Sequence, residues 1–372
     1  MARLLGALAF AFLLTQGTQG WGQGLRVPSP EELDRIVAMQ RATERAMSAL
    51  PTGLGAAPRT IQCSPQQPSF DLRQFGIIQE PRRQGCDDCY IFASAGAIET
   101  TRRVFNVAAK DVKVSEQELL DCNDMGPHPA WTQLARYDCT GGFFDGPFGY
   151  ADTYGVLSEG GYTTANGETR YVGQKLTCMA RQPGDRVSLF SWSFVRGVLD
   201  SGSGLRRTPI AATRDLKQAL CDTGGVVTAI DIAAWDRSSF QGPLIAGRPT
   251  NADSPWYSPG NGHAVQIVGW DDTYPWTDLA GKTGQGVWII KNSWGPFWGE
   301  GGFVRIPYDH QSIGLVAAWA KADLVAALAS APPTVKTEIL NAREVVRAVK
   351  RQGDPAKIIR DLEQLGRSSP LR

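Results

Sequence analysis

The amino-acid sequence predicts an α+β fold in two halves, helical first and antiparallel β second, with a site between them. Three observations lead there. Tyr90 to Val104 combines Ala93, Ala95 and Ala97 with apolar Phe92, Ile98 and Val104, and Ser115 and Glu118 have the spacing of a capping box. Farther on, short apolar runs at Val226 to Ala234, Ala264 to Trp270, Gly286 to Lys291 and Phe303 to Ile306 are separated by turn residues. The length, 372 residues of which 42% are hydrophobic, is enough to bury a core in both halves.

Charge and hydropathy narrow the partners. Lys and Arg number 38 against 37 Asp and Glu, a formal net charge of +1, which argues against nucleic acid held by bulk charge. No apolar run reaches the roughly 18 residues of a membrane span. The chain opens with Met1-Ala2-Arg3, an apolar run from Leu4 to Leu14, then small and polar residues to Gly20. That layout predicts a secretory signal peptide over 1–20 rather than a buried helix. Export would deliver the chain to a secreted, periplasmic or lysosome-like compartment, where disulfides persist. Ser29-Pro30-Glu31-Glu32 then caps a helix with Leu33, Ile36, Val37, Met47 and Leu50 on one stripe, followed by a loose Pro-, Gly- and Gln-rich stretch to Pro68. A capped helix on a loose linker fits a removable propeptide over 21–62; an arm that stays attached is the alternative.

The cysteine count is odd, seven, which allows three bridges and one spare thiol. In Gln84-Gly85-Cys86-Asp87-Asp88-Cys89-Tyr90, Cys89 falls at the start of the first helix, where unpaired N–H groups and the dipole favour an anion such as a thiolate. A redox pair, half a zinc site, or a nucleophile beside a structural cysteine are the three readings. The preceding Glu80-Pro81-Arg82-Arg83 is no strand, as a thioredoxin-like motif would need, and no second Cys-x-x-Cys exists for zinc. The nucleophile reading requires a histidine elsewhere. His128 in a Pro-rich loop and His310 in polar company read as solvated surface residues. His263, in Asn261-Gly262-His263-Ala264-Val265, stands at the mouth of a strand. An Asn such as Asn292 can accept from one imidazole nitrogen and aim the other at a thiol, with Trp294 shielding that bond.

These motifs together resemble the papain-like cysteine peptidases: Gln84…Cys89, Ser115-Glu116-Gln117-Glu118-Leu119, Cys139-x-Gly141-Gly142, Gly262-His263-Ala264-Val265, and Lys291-Asn292-Ser293-Trp294-Gly295…Trp298-Gly299-Glu300. They lie in family order between Ser69 and Ala320. The resemblance implies a peptidase domain over 63–325, with a helical lobe of about 69–183, an antiparallel β-barrel lobe of about 184–325 and the active-site cleft between. It implies Cys89 as nucleophile, His263 as general base, Asn292 as its orienter, and Gln84 with the Cys89 N–H as oxyanion donors. Gly141 and Gly142 would pair with substrate backbone, and Phe144 and Ala264 would border the main side-chain pocket. It implies protein or peptide substrates, proteinaceous inhibitors, a monomer, and no metal or organic cofactor. The bridges it implies are Cys86–Cys139 and Cys122–Cys178; it does not supply a pair for Cys63 and Cys221, which we assign to each other.

The departures from the family pattern are specific. The loop between Gln84 and Cys86 is one residue short, and Tyr90 stands where a Trp is usual. Asp87 and Asp88 replace small uncharged residues; as carboxylates beside a thiolate they would raise its pKa, unless they face solvent. Asp87 bordering the pocket for the residue before the cut bond would favour Lys or Arg there. His263 follows Cys89 by 174 residues rather than about 130–150. Insertions at Asp185 to Thr213, and at Asp271 to Gly286 ahead of Asn292, are expected as rim loops, and Met125 to Tyr137 enlarges a third. Residues 326–372 form a helical extension, with helices over Val335 to Val349 and Pro355 to Leu365. Two non-peptidase readings remain, a papain-like binding protein of weak activity and a Cys86/Cys89 thiol–disulfide exchanger.

Overall fold

Helix α1, Cys89–Phe105, forms where the alanine run and the helical spacing of apolar residues coincide, and nearly all of it is buried. This computed structural model describes Leu25, residues 61–322 apart from 106–111, 126–136, 180–181, 196–209, 234, 236–239, 241, 248 and 251–259, and residues 333, 334 and 337. The expected signal peptide, the helix after Ser29, His128, the second C-terminal helix and all of the first but Thr337 lie outside the described residues.

Helix α2, Glu116–Cys122, starts at Ser115, whose hydroxyl accepts from the Glu118 N–H at 3.1 Å. The expected box is only half made. The Ser115 N–H goes to Leu157 O, and the buried Glu118 carboxylate takes Tyr150 Oη, Arg186 Nη1 and the Leu157 N–H at 2.7–2.8 Å. Burial among better donors draws it away from the cap. Helix α3, Asp145–Thr153, completes this part, together with a hairpin of β2, Val156–Leu157, and β3, Arg186–Val187.

The other part is an antiparallel sheet. Strands β4 (Leu189–Phe194), β5 (Gly225–Asp231), β6 (Gly262–Thr277), β7 (Thr283–Lys291), β8 (Phe303–Pro307) and β9 (Leu315–Ala322) run in the order β4-β9-β5-β6-β7-β8, and β1 (Ser69–Asp71) adds to β6. Among the described residues no pairing joins β4 to β8, so the expected barrel is an open, curved path. Helix α4, Thr213–Thr223, packs on β5, β6 and β9. Helix α1 lies against β5, β6 and β9. Gly96 permits this approach, since a Cβ there would overlap the Gln266 side chain.

Two expected rim loops have other structures. The insertion from Asp185 holds β3 and β4, with 196–209 outside the described residues. The stretch from Asp271 to Gly286 extends β6 and β7 into a long hairpin, with Trp276 paired to Gly284. His310, expected on the surface, is 2% exposed at that hairpin. Its Nδ1 meets Tyr308 O at 2.9 Å, its Nε2 is 3.6 Å from Asp278, and its ring lies edge-on to Trp276. Its polar sequence neighbours conceal this apolar support.

Three disulfides cross the molecule: Cys63–Cys221, Cys86–Cys139 and Cys122–Cys178. Cys89 is outside them and buried.

Candidate active site

The site assembles where α1, β6 and the turn after β7 meet. Cys89 is the first residue of α1, His263 is the second residue of β6, and Asn292 follows the last residue of β7. The Ala264 N–H reaches Cys89 Sγ at 3.3 Å, so the residue next to His263 touches the sulfur. His263 Nε2 lies 2.7 Å from Asn292 Oδ1. With that nitrogen held by an acceptor, Nε2 carries the proton in the neutral ring and Nδ1 has the lone pair. Trp294 packs on the imidazole at 5.0 Å between ring centroids, and Trp235 and Trp298 pack on Trp294 at 5.7 and 4.9 Å. Asn292 is 3% exposed behind this indole wall, where competing water is excluded from its bond to His263.

Gln84 is brought to the same place by strand-like pairing. Its N–H donates to Ser293 O at 2.8 Å, and Gly295 N donates to Arg82 O at 3.2 Å. The short loop folds the Gln84 amide back, so that Nε2 donates one hydrogen to Cys86 O at 2.7 Å while Ser293 Oγ donates to Oε1 at 2.6 Å. An amide nitrogen has a second hydrogen to offer. Behind this pairing, Arg82 bridges Glu99 of α1 at 2.6 Å and Glu116 of α2 at 2.5 Å. Burial pushes the Glu116 carboxyl up to about 8 even against the pull of Arg82. Burial likewise pulls Lys291 down to about 8, with Glu99 opposing it. Arg82, Glu99 and Ser293 were not singled out in the sequence; their role becomes visible only when three distant segments meet.

Two glycines lie alongside. A Cβ on Gly142 would overlap the Tyr90 ring, and Gly141 adopts φ 132°. Gly142 also forms a parallel β-bridge with Leu25, a residue only 7% exposed and part of the same apolar cluster as Phe143 and Phe144. Phe144 and Ala264 are both fully buried. A cavity of about 10 Å³ is lined by Arg82, Phe92, Ala264, Gln266, Lys291 and Asn292 among others. Among the described residues, no group of three or more His, Cys, Asp or Glu is arranged to hold a metal ion, and no helix is long and apolar enough to cross a membrane.

The two aspartates separate. Asp87 is half-buried, with its N–H on Cys139 O at 3.2 Å. Asp88 does not face solvent as the screening argument required: it is fully buried, and Tyr171 Oη donates to its Oδ2 at 2.7 Å. Burial pushes its carboxyl up to about 7. Cys89 is driven in the direction opposite to the helix-terminus argument. Burial pushes the thiol up to about 12, the Ala264 N–H opposes this, and Asp88 and Asp87 add to it. Desolvation of a fully enclosed sulfur outweighs the dipole.

Known proteins are similar to this chain. The family model described as "Papain family cysteine protease" matches residues 66–321. A cathepsin L-like proteinase of Phaedon cochleariae is 28% identical over 258 residues, 69% of this chain and 64% of its own length. Cathepsin K of Mus musculus is 28% identical over 240 residues, 64% of this chain and 59% of its own. The chain therefore spans about three fifths of these curated relatives. Among solved structures, digestive procathepsin L2 proteinase from Tenebrio molitor larval midgut aligns with a TM-score of 0.51 at 23% identity, covering 85% of this chain and 83% of that one, a likeness of fold. The matched segment takes in Cys89, His263 and Asn292, and the chain belongs to the papain family of cysteine proteases.

Proposed function

We propose that this chain is an exported cysteine peptidase, made in latent form, that cuts peptide bonds through Cys89. The observation that carries the reading is the contact of the Ala264 N–H with Cys89 Sγ, together with the His263–Asn292 bond one residue away. His263 takes the thiol proton, and the sulfur attacks the scissile carbonyl carbon. The oxyanion is held by the Cys89 N–H and the second Gln84 Nε2 hydrogen; loss of one such donor costs about 10²–10³ in rate. The tetrahedral adduct collapses as the imidazolium passes its proton to the leaving amine, giving a thioester. Water, deprotonated by His263, then releases the acid and restores the thiol. Asn292 keeps the ring directed, and Trp294 keeps their bond dry. The chemistry needs no metal or organic cofactor.

Gly141 and Gly142 offer backbone for β-like pairing with an extended substrate, Phe144 and Ala264 border the side-chain pocket, and half-buried Asp87 favours Lys or Arg before the cut bond. Latency is supported by the full burial of Cys89 and His263 and by Leu25 already occupying Gly142. Proform structures occur among the similar solved proteins. Residues 1–20 would direct export, 21–62 would be removed, and 63–325 would be the peptidase, acting as a monomer on proteins or peptides. Three bridges suit an oxidising compartment. The exchanger reading is disfavoured by the partner of Cys86, which is Cys139 and not Cys89.

The test is turnover of fluorogenic peptides with Arg or Gln before the cut bond, beside Cys89→Ala. Turnover abolished in the variant supports the reading. No turnover by activated wild type and no labelling of Cys89 by a thiol-directed epoxide would defeat it, leaving the binding-protein reading. Equal rates for Arg and Gln remove the role of Asp87 alone.

A further inference from the structure

A carboxyl lies immediately before the nucleophile, buried, and tied to a distant segment. The backbone C=O of Asp88 accepts from the Ile91 N–H at 2.8 Å, which holds Asp88 directly ahead of α1. Its side chain is fully enclosed, and Oδ2 accepts from Tyr171 Oη at 2.7 Å. The same hydroxyl oxygen accepts from the Gly85 N–H at 2.8 Å. One phenol thus bridges two points of the loop that also carries Gln84 and Cys89. The Tyr171 ring is fixed edge-on against Phe92 at 5.0 Å, one turn along α1. Gly85 in turn packs on Gly173, so the clamp has little room to move.

We propose that Asp88, held by Tyr171, is a charge brake on Cys89: uncharged on the acid side, it lets His263 take the thiol proton, and once ionised it repels the thiolate as it forms and slows the nucleophile. Asp88 touches no substrate in this scheme; it is a positioning residue acting through Cys89, and the inference rests on the peptidase reading above. The groups facing it are Asp87, Cys89 and Tyr90 on its own segment, Tyr171 across the loop and, next to Tyr171, Glu116 from α2. All of these are acids, so every charge they gain opposes ionisation of Asp88, and the Arg82 guanidinium on Glu116 offsets the charge of that carboxylate alone. Ala264, the residue next to His263, touches the sulfur, and an imidazolium nearby would favour the thiolate and the Asp88 carboxylate alike. The Tyr171 hydroxyl works the other way, since its donated hydrogen bond favours the carboxylate and sets the brake at a pH the protein can meet.

The balance is simple. Burial holds the Asp88 carboxyl near 7 rather than near the ordinary carboxylate value. Its negative charge, when formed, lies among the causes that raise the Cys89 thiol. Any further rise in the thiol lowers the thiolate fraction at a given pH and slows its alkylation.

The test uses N-terminally processed enzyme with 13C-labelled aspartate, following the Asp88 carboxyl by NMR and the rate of Cys89 alkylation by iodoacetamide across pH. The carboxyl is expected to titrate near 7, and alkylation to fall about threefold or more, relative to Asp88→Asn, above that point. Asp88→Asn keeps the shape and removes the charge, so its alkylation holds to higher pH. Tyr171→Phe keeps the ring on Phe92 and moves the Asp88 titration upward. A carboxyl titrating like a solvated one, an unmoved titration in Tyr171→Phe, or identical alkylation profiles for wild type and Asp88→Asn would each overturn the brake. A processed enzyme whose Cys89 is never alkylated at any pH removes the peptidase reading instead, and the carboxyl titration still decides whether Tyr171 sets Asp88.

Discussion

His263 and Asn292 come from positions 29 residues apart, yet their side chains meet at 2.7 Å because β6 and β7 are antiparallel neighbours whose paired register runs to Gln266 and Lys291. The imidazole direction is therefore a property of the sheet. Asn292→Ala leaves the strands in place and frees the ring. A reacting group misplaced by about 1 Å costs on the order of 10² in rate. We expect kcat/KM to fall by that factor with little change in the melting temperature, as read by steady-state kinetics and calorimetry on one preparation.

Leu25 pairs with Gly142, and under the proposed function that pairing would close the groove in the unprocessed chain. Burying a leucine contributes about 1.5–3 kcal/mol, and about 1.4 kcal/mol is tenfold in an equilibrium. Leu25→Glu should therefore raise the peptidase rate of unprocessed protein about tenfold or more and leave the processed enzyme unchanged. Rates measured before and after N-terminal trimming check this; an unprocessed variant as slow as wild type would show that Leu25 is no plug.

Asp88 should leave a mark on stability as well as on rate. Its folded carboxyl is raised to about 7 from an ordinary value of 3.8, with burial as the main cause. The folded state thus holds a proton that the unfolded chain releases between those values. Its contribution is fully present below the unfolded value and is lost as pH rises through the folded one. Urea unfolding of wild type and Asp88→Asn should diverge from about pH 4 to about pH 8, the wild type losing roughly 2–4 kcal/mol relative to the variant. Parallel curves would mean the carboxyl is solvated.

The Cys63–Cys221 bridge spans a sequence separation of 158 residues and ties the chain just ahead of the matched segment to α4. Replacing both by Ser should cost about 2–5 kcal/mol. Nonreduced peptide mapping should recover the 63–221 crosslinked peptide from processed enzyme, with Cys63 inaccessible to alkylation until reduction.

Much of this was legible in sequence. Helix α1 was readable because its alanines and apolar spacing agree, and β6 and β7 because their apolar cores lie between turns. Helix α3 was missed because Gly146, Pro147 and Gly149 argue against helix, and packing of Phe148 and Tyr150 overrides that local preference. Strand β9, Leu-Val-Ala-Ala-Trp-Ala-Lys-Ala, has the composition of a helix and becomes a strand only between β4 and β5. Within the site, motif residues could be named one by one. Tyr171 could not, because nothing in its own neighbourhood says that it will stand against Asp88, 83 residues earlier. The burial of Asp88 was equally hidden, since two adjacent aspartates ahead of a helix read as solvated caps.

The bridge from Cys86 to Cys139 sets a condition on how the chain is made. Cys86 has Cys89 three residues away and its native partner 53 away. Loop closure in a newly made chain favours the near thiol, which would lock Cys89, the proposed nucleophile, into a dead covalent state. Biosynthesis must therefore either wind α1 around Cys89 before oxidation reaches Cys86 or repair the wrong bond by thiol exchange. Yield of competent enzyme is then governed by the redox buffer and isomerase supply during folding, as much as by the stability of the finished fold.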